Sequence, residues 1–354
     1  MSAPSLVGGT ALRAYDLPAG IVFAAVYGLL LPAFIYRMVD RSSRTFILIQ
    51  IIFFAAERVV VFSLRAAETT HSNIETLGLN EYQQATFALG FLNLTHVVAK
   101  LARTVLVNTT KGPESSTETS EPALVTSSSF GLWRPTTKPA SPPAVDDPRS
   151  RYWFRRWSEC MGVLYLAAMV TAIVATANIY AANDVVPNRR DQALRYSSAA
   201  IGLVLVLALS GILLWAQRYV PRVDQRAVRF LLAATTLLTI PPIYRLVVMR
   251  STTPNIADAD HQPLNTLSDK AAFYVLHVLP EWTVVAMLCM FNVRDICHTG
   301  LKGDEGWRDE SPKERAKREK KDQERAMKKA AKDKNAAFEM KSTSNATDSI
   351  SSLA

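Results

Sequence analysis

Ionisable side chains inside apolar stretches are the residues of this sequence most able to carry chemistry. A charge at the centre of a bilayer costs about 2.5–3.5 kcal/mol, so such side chains normally face the interior of a helix bundle, where they pair or bind a ligand. Six of them lie well inside such stretches: Glu57, Arg58, His96, Arg245, His277 and Glu281. The two acids and two arginines among them balance in charge, which favours a neutral cluster.

Membrane-spanning helices must position these residues. A span needs about 20 apolar residues to cross ~30 Å of hydrocarbon, and a backbone in lipid must satisfy its own hydrogen bonds, which favours helices. Seven stretches qualify: Leu17–Tyr36, Thr45–Leu64, Tyr82–Ala102, Cys160–Tyr180, Ser197–Ala216, Val228–Met249 and Ala271–Asn292. We therefore expect an all-α fold, a polytopic integral membrane bundle of seven helices.

Basic residues in the short loops predict the orientation, because they accumulate on the cytosolic side. The chain has 40 Lys and Arg against 31 Asp and Glu. Loops one, three and five are rich in arginine, whereas loops two and six balance bases with acids, and loop four (residues 181–196) is discordant. This pattern predicts the amino terminus outside and the carboxyl terminus inside. The expected segments are an extracellular amino terminus (1–16), helices one to three (17–107), a cytosolic loop (108–157), helices four to seven (158–296) and a cytosolic tail (297–354).

The loop at 108–157 and the tail are expected to be cytosolic and polar. The middle of the loop is rich in Ser, Thr and Pro and has little to bury, so we predict disorder. In the tail, Ser311, Pro312 and Glu314 form a capping box, which predicts a charged helix over 312–338. That helix is either solvated or bound to anionic lipid. Acids are mixed through it and no aromatic platform accompanies it, so no nucleic-acid partner is expected. Cys297, just past the last span, is a candidate for palmitoylation.

Most of the intramembrane charges are expected to lie at a similar depth in the membrane. At 1.5 Å per residue, Glu57 and Arg58 lie ~18–20 Å above the cytosolic surface, and His277 and Glu281 lie ~9 and ~15 Å below the outer one. Arg245 lies at the same outer level, whereas His96 is deeper. Prolines in helices six and seven break the backbone ladder beside this layer. We expect a polar site between helices two, six and seven. The alternative is a structural ion-pair lock without a ligand.

Signatures of catalysis are missing from the sequence. There is no HxxxH, no GxSxG and no glycine-rich phosphate loop. A zinc site built from His96, His277 and Glu281 would lack the usual ligand spacing. We therefore expect a protein that is not an enzyme and that has no metal or cofactor.

Four short segments resemble a known family. They are AERVVVFSLR in helix two, YQQATFALGF in helix three, IYRLVVM in helix six and FYVLHVLPEWTVVAMLCMFN in helix seven. Together they resemble the fungal resistance-to-aminocholesterol, lipid-translocating-exporter-like family of seven-helix proteins. The resemblance carries the family's motif residues onto the following positions: Glu57 with Arg65, Tyr244 with Arg245, and Tyr274 with His277.

The sequence departs from the family pattern in three places. His277 stands where the family has Asp, Val248 stands where an acid commonly follows Tyr-Arg, and Val60-Val61 replaces the usual Gly-Tyr. Glu281 would compensate for the lost acids. The resemblance implies handling of, or response to, amphiphilic lipids such as sphingoid bases or sterol-like toxicants.

Three functions are therefore compared. The first is transport of, or response to, lipids or amphiphiles without covalent catalysis, in the plasma membrane or an endomembrane. The second is signalling like that of a G-protein-coupled receptor, although no Asp/Glu-Arg-Tyr motif ends helix three. The third is a membrane scaffold that acts through its tail. The expected partners are membrane lipids, an amphiphilic small molecule and a cytosolic protein at loop 108–157 or the tail.

Overall fold

The computed structural model describes residues 3–4, 6–70, 77–112, 146–177, 185–253, 264–301 and 303–304, together with seven isolated positions of the tail. The chain divides into two units, Met1–Glu305 and Gly306–Ala354. In the second unit the described positions, from Lys313 to Met327, are helical. The rest of the predicted tail helix and the middle of the predicted disordered loop (113–145) lie outside the described residues.

The first unit is built almost entirely of helices. They are α1 (Arg13–Val39), α2 (Ile47–Glu68), α3 (Leu77–Thr109), α4 (Pro148–Ala177), α5 (Val185–Tyr219), α6 (Gln225–Val248), α7 (three consecutive segments, Leu267–Phe273, Tyr274–Val278 and Leu279–Met290) and α8 (Val293–Cys297). The expected all-α class holds apart from one two-residue antiparallel pairing, in which β1 (Ala3–Pro4) meets β2 (Thr252–Thr253).

Seven helices of the described chain, α1 to α7, are long and apolar enough to cross a membrane. This confirms the prediction of seven spans and gives the chain the character of a multi-pass membrane protein. Large apolar side chains such as Leu29, Phe53 and Val163 are exposed on the outside of the bundle. A soluble protein would bury most of them, whereas lipid solvates them.

Two predicted boundaries are corrected. Helix α1 begins at Arg13, so Asp16 lies inside it rather than in a free amino-terminal segment. Helix α4 begins at Pro148, so the end of the loop predicted to be disordered is helical. The physical reason is that Arg151 and Arg155 are buried there and paired with Asp146 and Asp304, which orders the backbone.

Helix α7 widens into a π-helical turn over Tyr274–Val278, immediately before Pro280. Proline has no backbone N–H and its ring collides with the carbonyl one turn earlier, so the regular ladder cannot continue through it. The wider turn accommodates this gap while keeping Tyr274, His277 and Glu281 buried. The local sequence thus sets which side chains of α7 face the bundle.

After α8 the chain crosses the end of the bundle where α2 and α4 begin; we refer to residues 298–301 and 303–304 as the strap. The backbone N–H of Phe46 donates to the carbonyl of Leu301 at 2.9 Å. The carboxylate of Asp304 accepts from Arg155 Nη2 at 2.8 Å and from Arg103 Nε at 3.2 Å. Burial alone would raise the pKa of Asp304, but the hydrogen bonds and charges of the two arginines outweigh it and leave the pKa below its ordinary value. The ion pairs therefore stay formed throughout the physiological pH range.

The structure does not support palmitoylation of Cys297. Its side chain is fully buried in α8, packed where the strap begins. Burial, and to a lesser extent Asp224, raises the pKa of the thiol to about 12. Acyl transfer needs an accessible thiolate, so the buried position argues against the predicted palmitoylation and favours a structural role for Cys297.

A labelling experiment tests whether Cys297 is inaccessible. In a variant that keeps Cys297 as its only cysteine, we expect alkylation by a maleimide at neutral pH to be at least about a hundredfold slower than after denaturation, because exposure and thiolate are both lacking. Ser42→Cys in a cysteine-free background is the control, since Ser42 is exposed in the turn after α1. Equal labelling rates for the two native proteins would contradict the buried position.

Candidate functional site

A buried ion pair lies at the centre of the bundle. Arg58 of α2 donates from Nη2 to Glu281 Oε2 of α7 at 2.8 Å, and the two side chains are 0% and 1% exposed. The same nitrogen also donates to the carbonyl of Thr86 in α3 at 3.2 Å. Three helices are thus joined by one guanidinium, which satisfies part of its hydrogen-bonding capacity without water.

Gly90 allows this pair to lie directly against α3. A Cβ built at Gly90 would be 2.6 and 2.8 Å from the two carboxylate oxygens of Glu281 and would overlap Arg58 Nη2. The rings of Phe54 and Phe87 approach the guanidinium carbon to 4.7 and 5.6 Å from their centroids. The charge therefore lies in an apolar, aromatic enclosure, where an arginine without its acid would be very unfavourable.

His277 and Arg245 lie around this pair without bonding to it. His277 Nε2 is 4.0 Å from Glu281 Oε1, too far for a hydrogen bond, and the His277 ring centroid is 6.0 Å from that of Tyr244. Within the described part of the chain, both ring nitrogens of His277, Glu281 Oε1 and Arg245 Nη1 have no hydrogen-bond partner. The described side chains around these buried atoms therefore leave them without the hydrogen bonds that such atoms normally make.

Tyr274 belongs to a second buried cluster, nearer the start of α1. Its hydroxyl donates to Asp16 Oδ1 at 2.7 Å. Asp16 also pairs with Arg65 Nε at 3.0 Å and with Lys270 Nζ at 2.8 Å, and all three charged side chains are at most 1% exposed. Sequence reasoning missed Asp16 and Lys270, because each stands close to a helix end that the predicted boundaries assigned to water.

The amino-terminal segment closes this end of the bundle. The carbonyl of Gly8 accepts from both Arg65 Nη2 and Lys270 Nζ at 2.7 Å, and that of Thr10 also accepts from Lys270. Gly8 and Gly9 have φ angles of +83° and +63°, which turn their carbonyls toward these cations and which glycine adopts without strain. Residues 6–12 therefore form a cap held by buried charge; we refer to them as the amino-terminal cap.

Val7 joins the cap to α3 through two hydrogen bonds. Its backbone N–H donates to Gln84 Oε1 and its carbonyl accepts from Gln84 Nε2, both at 3.0 Å. The side chains of Leu6 and Val7 are buried. A segment with paired backbone groups and buried apolar side chains covers the helix ends as part of the fold.

Glu57 is separated from the cluster predicted for it. Adjacent helical residues point about 100° apart, so with Arg58 inside, Glu57 turns to the face of α2 beside α3. It is half-buried and lines a groove of about 610 Å³ between these two helices. The other lining residues are Phe46, Ile47, Ile49, Gln50, Phe53, Phe54, Asn93 and Lys100. Because Phe46, Ile49 and Phe53 are exposed, the groove opens on the outside of the bundle.

Polar groups occur at two levels of this groove. Lys100 Nζ approaches Gln50 Oε1 at 3.4 Å, and Asn93 Oδ1 accepts from the hydroxyl of Tyr165 at 2.5 Å. Glu57 makes neither a hydrogen bond nor an ion pair with the described residues. The groove thus combines an apolar wall with two polar groups. The Glu57 carboxyl group has no partner among the described residues, and the Lys100 ammonium makes one long hydrogen bond to Gln50.

His96 takes no part in either buried cluster. Its ring stacks on Tyr165 of α4, with centroids 4.3 Å apart. Among the described residues no three His, Cys, Asp or Glu side chains gather in a way that could hold a metal ion. Comparison of the chain with protein-family models, with curated proteins and with solved structures gives no significant match.

Proposed function

We propose that this multi-pass membrane protein binds amphiphiles from the bilayer and transports or senses them without covalent catalysis. The observation that carries the proposal is the groove between α2 and α3. It holds about 610 Å³, within the range of small-molecule sites, and it is lined by large apolar side chains around Glu57. An apolar wall with one unpaired acid suits a hydrophobic molecule that carries a polar group.

The amino-terminal cap favours entry from the side. It covers the end of the bundle at which Asp16, Arg65 and Lys270 are buried, whereas the groove opens between two helices on the outside of the bundle. A ligand dissolved in lipid reaches such a groove directly. A receptor for a water-soluble ligand would instead need an open pocket at the end, which makes receptor-type signalling the weaker alternative.

The orientation with the amino terminus outside and the carboxyl terminus inside is part of this proposal. It is supported by the basic residues around the strap, since Arg37, Arg103, Arg155 and Arg294 gather at that end of the first unit. Positive charge accumulates on the cytosolic side of membrane proteins. In this orientation Lys100 lies toward the cytosolic leaflet and Glu57 lies near the middle of the membrane.

Membership of the lipid-translocating-exporter-like family remains a proposal as well. The motif positions carried over from that family fall into three places: Glu57 lies in the groove, Tyr274 and Arg65 lie in the cluster under the cap, and the others lie beside the central ion pair, namely Tyr244, Arg245 and His277. In our interpretation the buried charges hold the helices together, and the groove binds the ligand.

Photocrosslinking in lipid nanodiscs tests the groove. The probes are photoactivatable, clickable sphingosine and palmitate, added to purified protein at equal protein concentration. We expect Ile49→Trp, which fills the groove, to reduce labelling by about tenfold, equivalent to about 1.4 kcal/mol of binding free energy. The matched control is Ile243→Trp, because Ile243 is exposed on α6 and does not line the groove.

The outcomes separate the proposed function from its rivals. Labelling that is equal in wild type and both variants would overturn binding in the groove. Truncation after Glu305, where the first unit ends, separates transport from a scaffold. A protein that works through the groove keeps its labelling and its growth phenotype toward amphiphilic toxicants, whereas a scaffold acting through the tail loses that phenotype.

A further inference from the structure

The polar residues of the groove occur in two layers at matching spacing. Gln50 and Glu57 are seven residues apart on α2, and Asn93 and Lys100 are seven residues apart on α3. Residues at i and i+7 lie on the same face of a helix. The two helices run in opposite directions, and Lys100 contacts Gln50, so Asn93 lies at the level of Glu57.

Each layer has a distinct chemistry. The layer nearer the start of α2 presents the ammonium of Lys100, which forms no ion pair with any described side chain and whose side-chain hydrogen bond is to Gln50 Oε1 at 3.4 Å. The other layer presents the Glu57 carboxyl group and the Nδ2 donor of Asn93, whose Oδ1 is engaged by Tyr165. Between the layers the wall is formed by Phe53 and Phe54, and Ile49 lies beside Gln50 in the first layer. Seven residues at 1.5 Å each place the layers about 10 Å apart.

From this spacing we propose that the groove selects a single-chain fatty acid that carries a hydroxyl group near the middle of its chain. The carboxylate of the ligand pairs with Lys100, and its hydroxyl donates to Glu57 and accepts from Asn93. The intervening methylene groups pack on the apolar wall. This inference rests on the proposed function, because it names the ligand class of the same groove.

The length of such a ligand fits the two layers. An extended chain of single bonds advances about 1.2 Å per bond, so the hydroxyl of 10-hydroxystearate lies about 11 Å from its carboxylate. In 2-hydroxystearate both polar groups would fall in the Lys100 layer. Stearate has no hydroxyl group that could donate a hydrogen bond to Glu57. The Glu57 carbonyl oxygen accepts a hydroxyl hydrogen whether or not the acid is ionised, so the selection does not depend on its protonation state.

Competition against the photoactivatable palmitate probe tests the inference on the wild-type protein in phosphatidylcholine nanodiscs. The competitors are stearate, 2-hydroxystearate and 10-hydroxystearate. We expect 10-hydroxystearate to compete about tenfold more strongly than the other two, because only it makes the hydrogen bonds of the second layer. The methyl ester of 10-hydroxystearate should lose most of this advantage, since it cannot pair with Lys100.

Two variants assign the effect to the two layers. Glu57→Leu should remove the preference for 10-hydroxystearate over stearate, and Lys100→Gln should remove the preference for the acid over its ester. Arg218→Gln is the control, because Arg218 is exposed at the same end of the bundle and does not line the groove. Equal competition by stearate and 10-hydroxystearate in the wild type overturns this inference but leaves the proposed function standing. Probe labelling that Ile49→Trp does not change overturns the proposed function itself.

Discussion

Replacing Glu281 with alanine is expected to lower the free energy of unfolding by about 3–5 kcal/mol, the usual loss when one member of a buried ion pair is removed. Arg58 would remain fully buried beside Phe54 and Phe87 with no acid to pair with. A guanidinium cannot release its proton to escape this state. Denaturant unfolding in mixed micelles, followed by tryptophan fluorescence, measures the loss.

A double variant separates the ion pair from the packing around it. Arg58→Met combined with Glu281→Leu removes both charges and should recover most of the stability that Glu281→Ala loses, because apolar pairs of similar volume replace buried ion pairs well. Gly90→Ala leaves both charges in place, yet it should also destabilise the bundle, since the added methyl group overlaps Arg58 and Glu281. A Glu281→Ala protein as stable as the wild type would contradict the central position of this pair.

Asp16→Ala is expected to have an effect of similar size, about 3–5 kcal/mol, since it leaves two buried cations facing each other. Arg65 and Lys270 both pair with this carboxylate, and Tyr274 donates to it. Their repulsion should also loosen the amino-terminal cap, whose carbonyls they hold. Hydrogen exchange of residues 6–12 should therefore speed up in this variant, together with a lower thermal midpoint.

The control for this prediction is Glu81→Ala. Glu81 is a partly exposed acid near the start of α3 and forms no ion pair with the described residues. Removing it should change stability by no more than about 0.5 kcal/mol, as is usual for surface substitutions. Equal effects of Asp16→Ala and Glu81→Ala would show that the cluster under the cap contributes nothing specific.

The seven spans could be predicted because their signal is local. A stretch such as the one centred on Leu209 has the length and apolarity that lipid demands, whatever its neighbours are. The same reasoning correctly identifies Arg58 and Glu281 as residues that cannot face lipid. The structure adds the contact between them, which a residue-by-residue argument cannot specify.

The rotation of each helix could not be predicted in the same way. In a membrane the outer face of a helix is as apolar as its inner face, so hydrophobic periodicity does not distinguish them. For this reason the sequence places Glu57 with Arg58, whereas the structure turns Glu57 into the groove. Asp16 and Lys270 were missed because each lies near a helix end, where a charge is equally compatible with water. Only their distant partners reveal that they are buried.

The amino-terminal cap has a consequence for biosynthesis. Gly8 and Thr10 precede α1 in the chain, yet their carbonyls bond to Lys270, which is made about 260 residues later. Domains generally form as they emerge during synthesis, but the amino-terminal cap cannot complete its hydrogen bonds until α7 has been made. A nascent chain interrupted before α7 would lack Lys270 and Tyr274, so Asp16 would be paired with Arg65 alone and the carbonyl of Thr10 would lose the bond from Lys270.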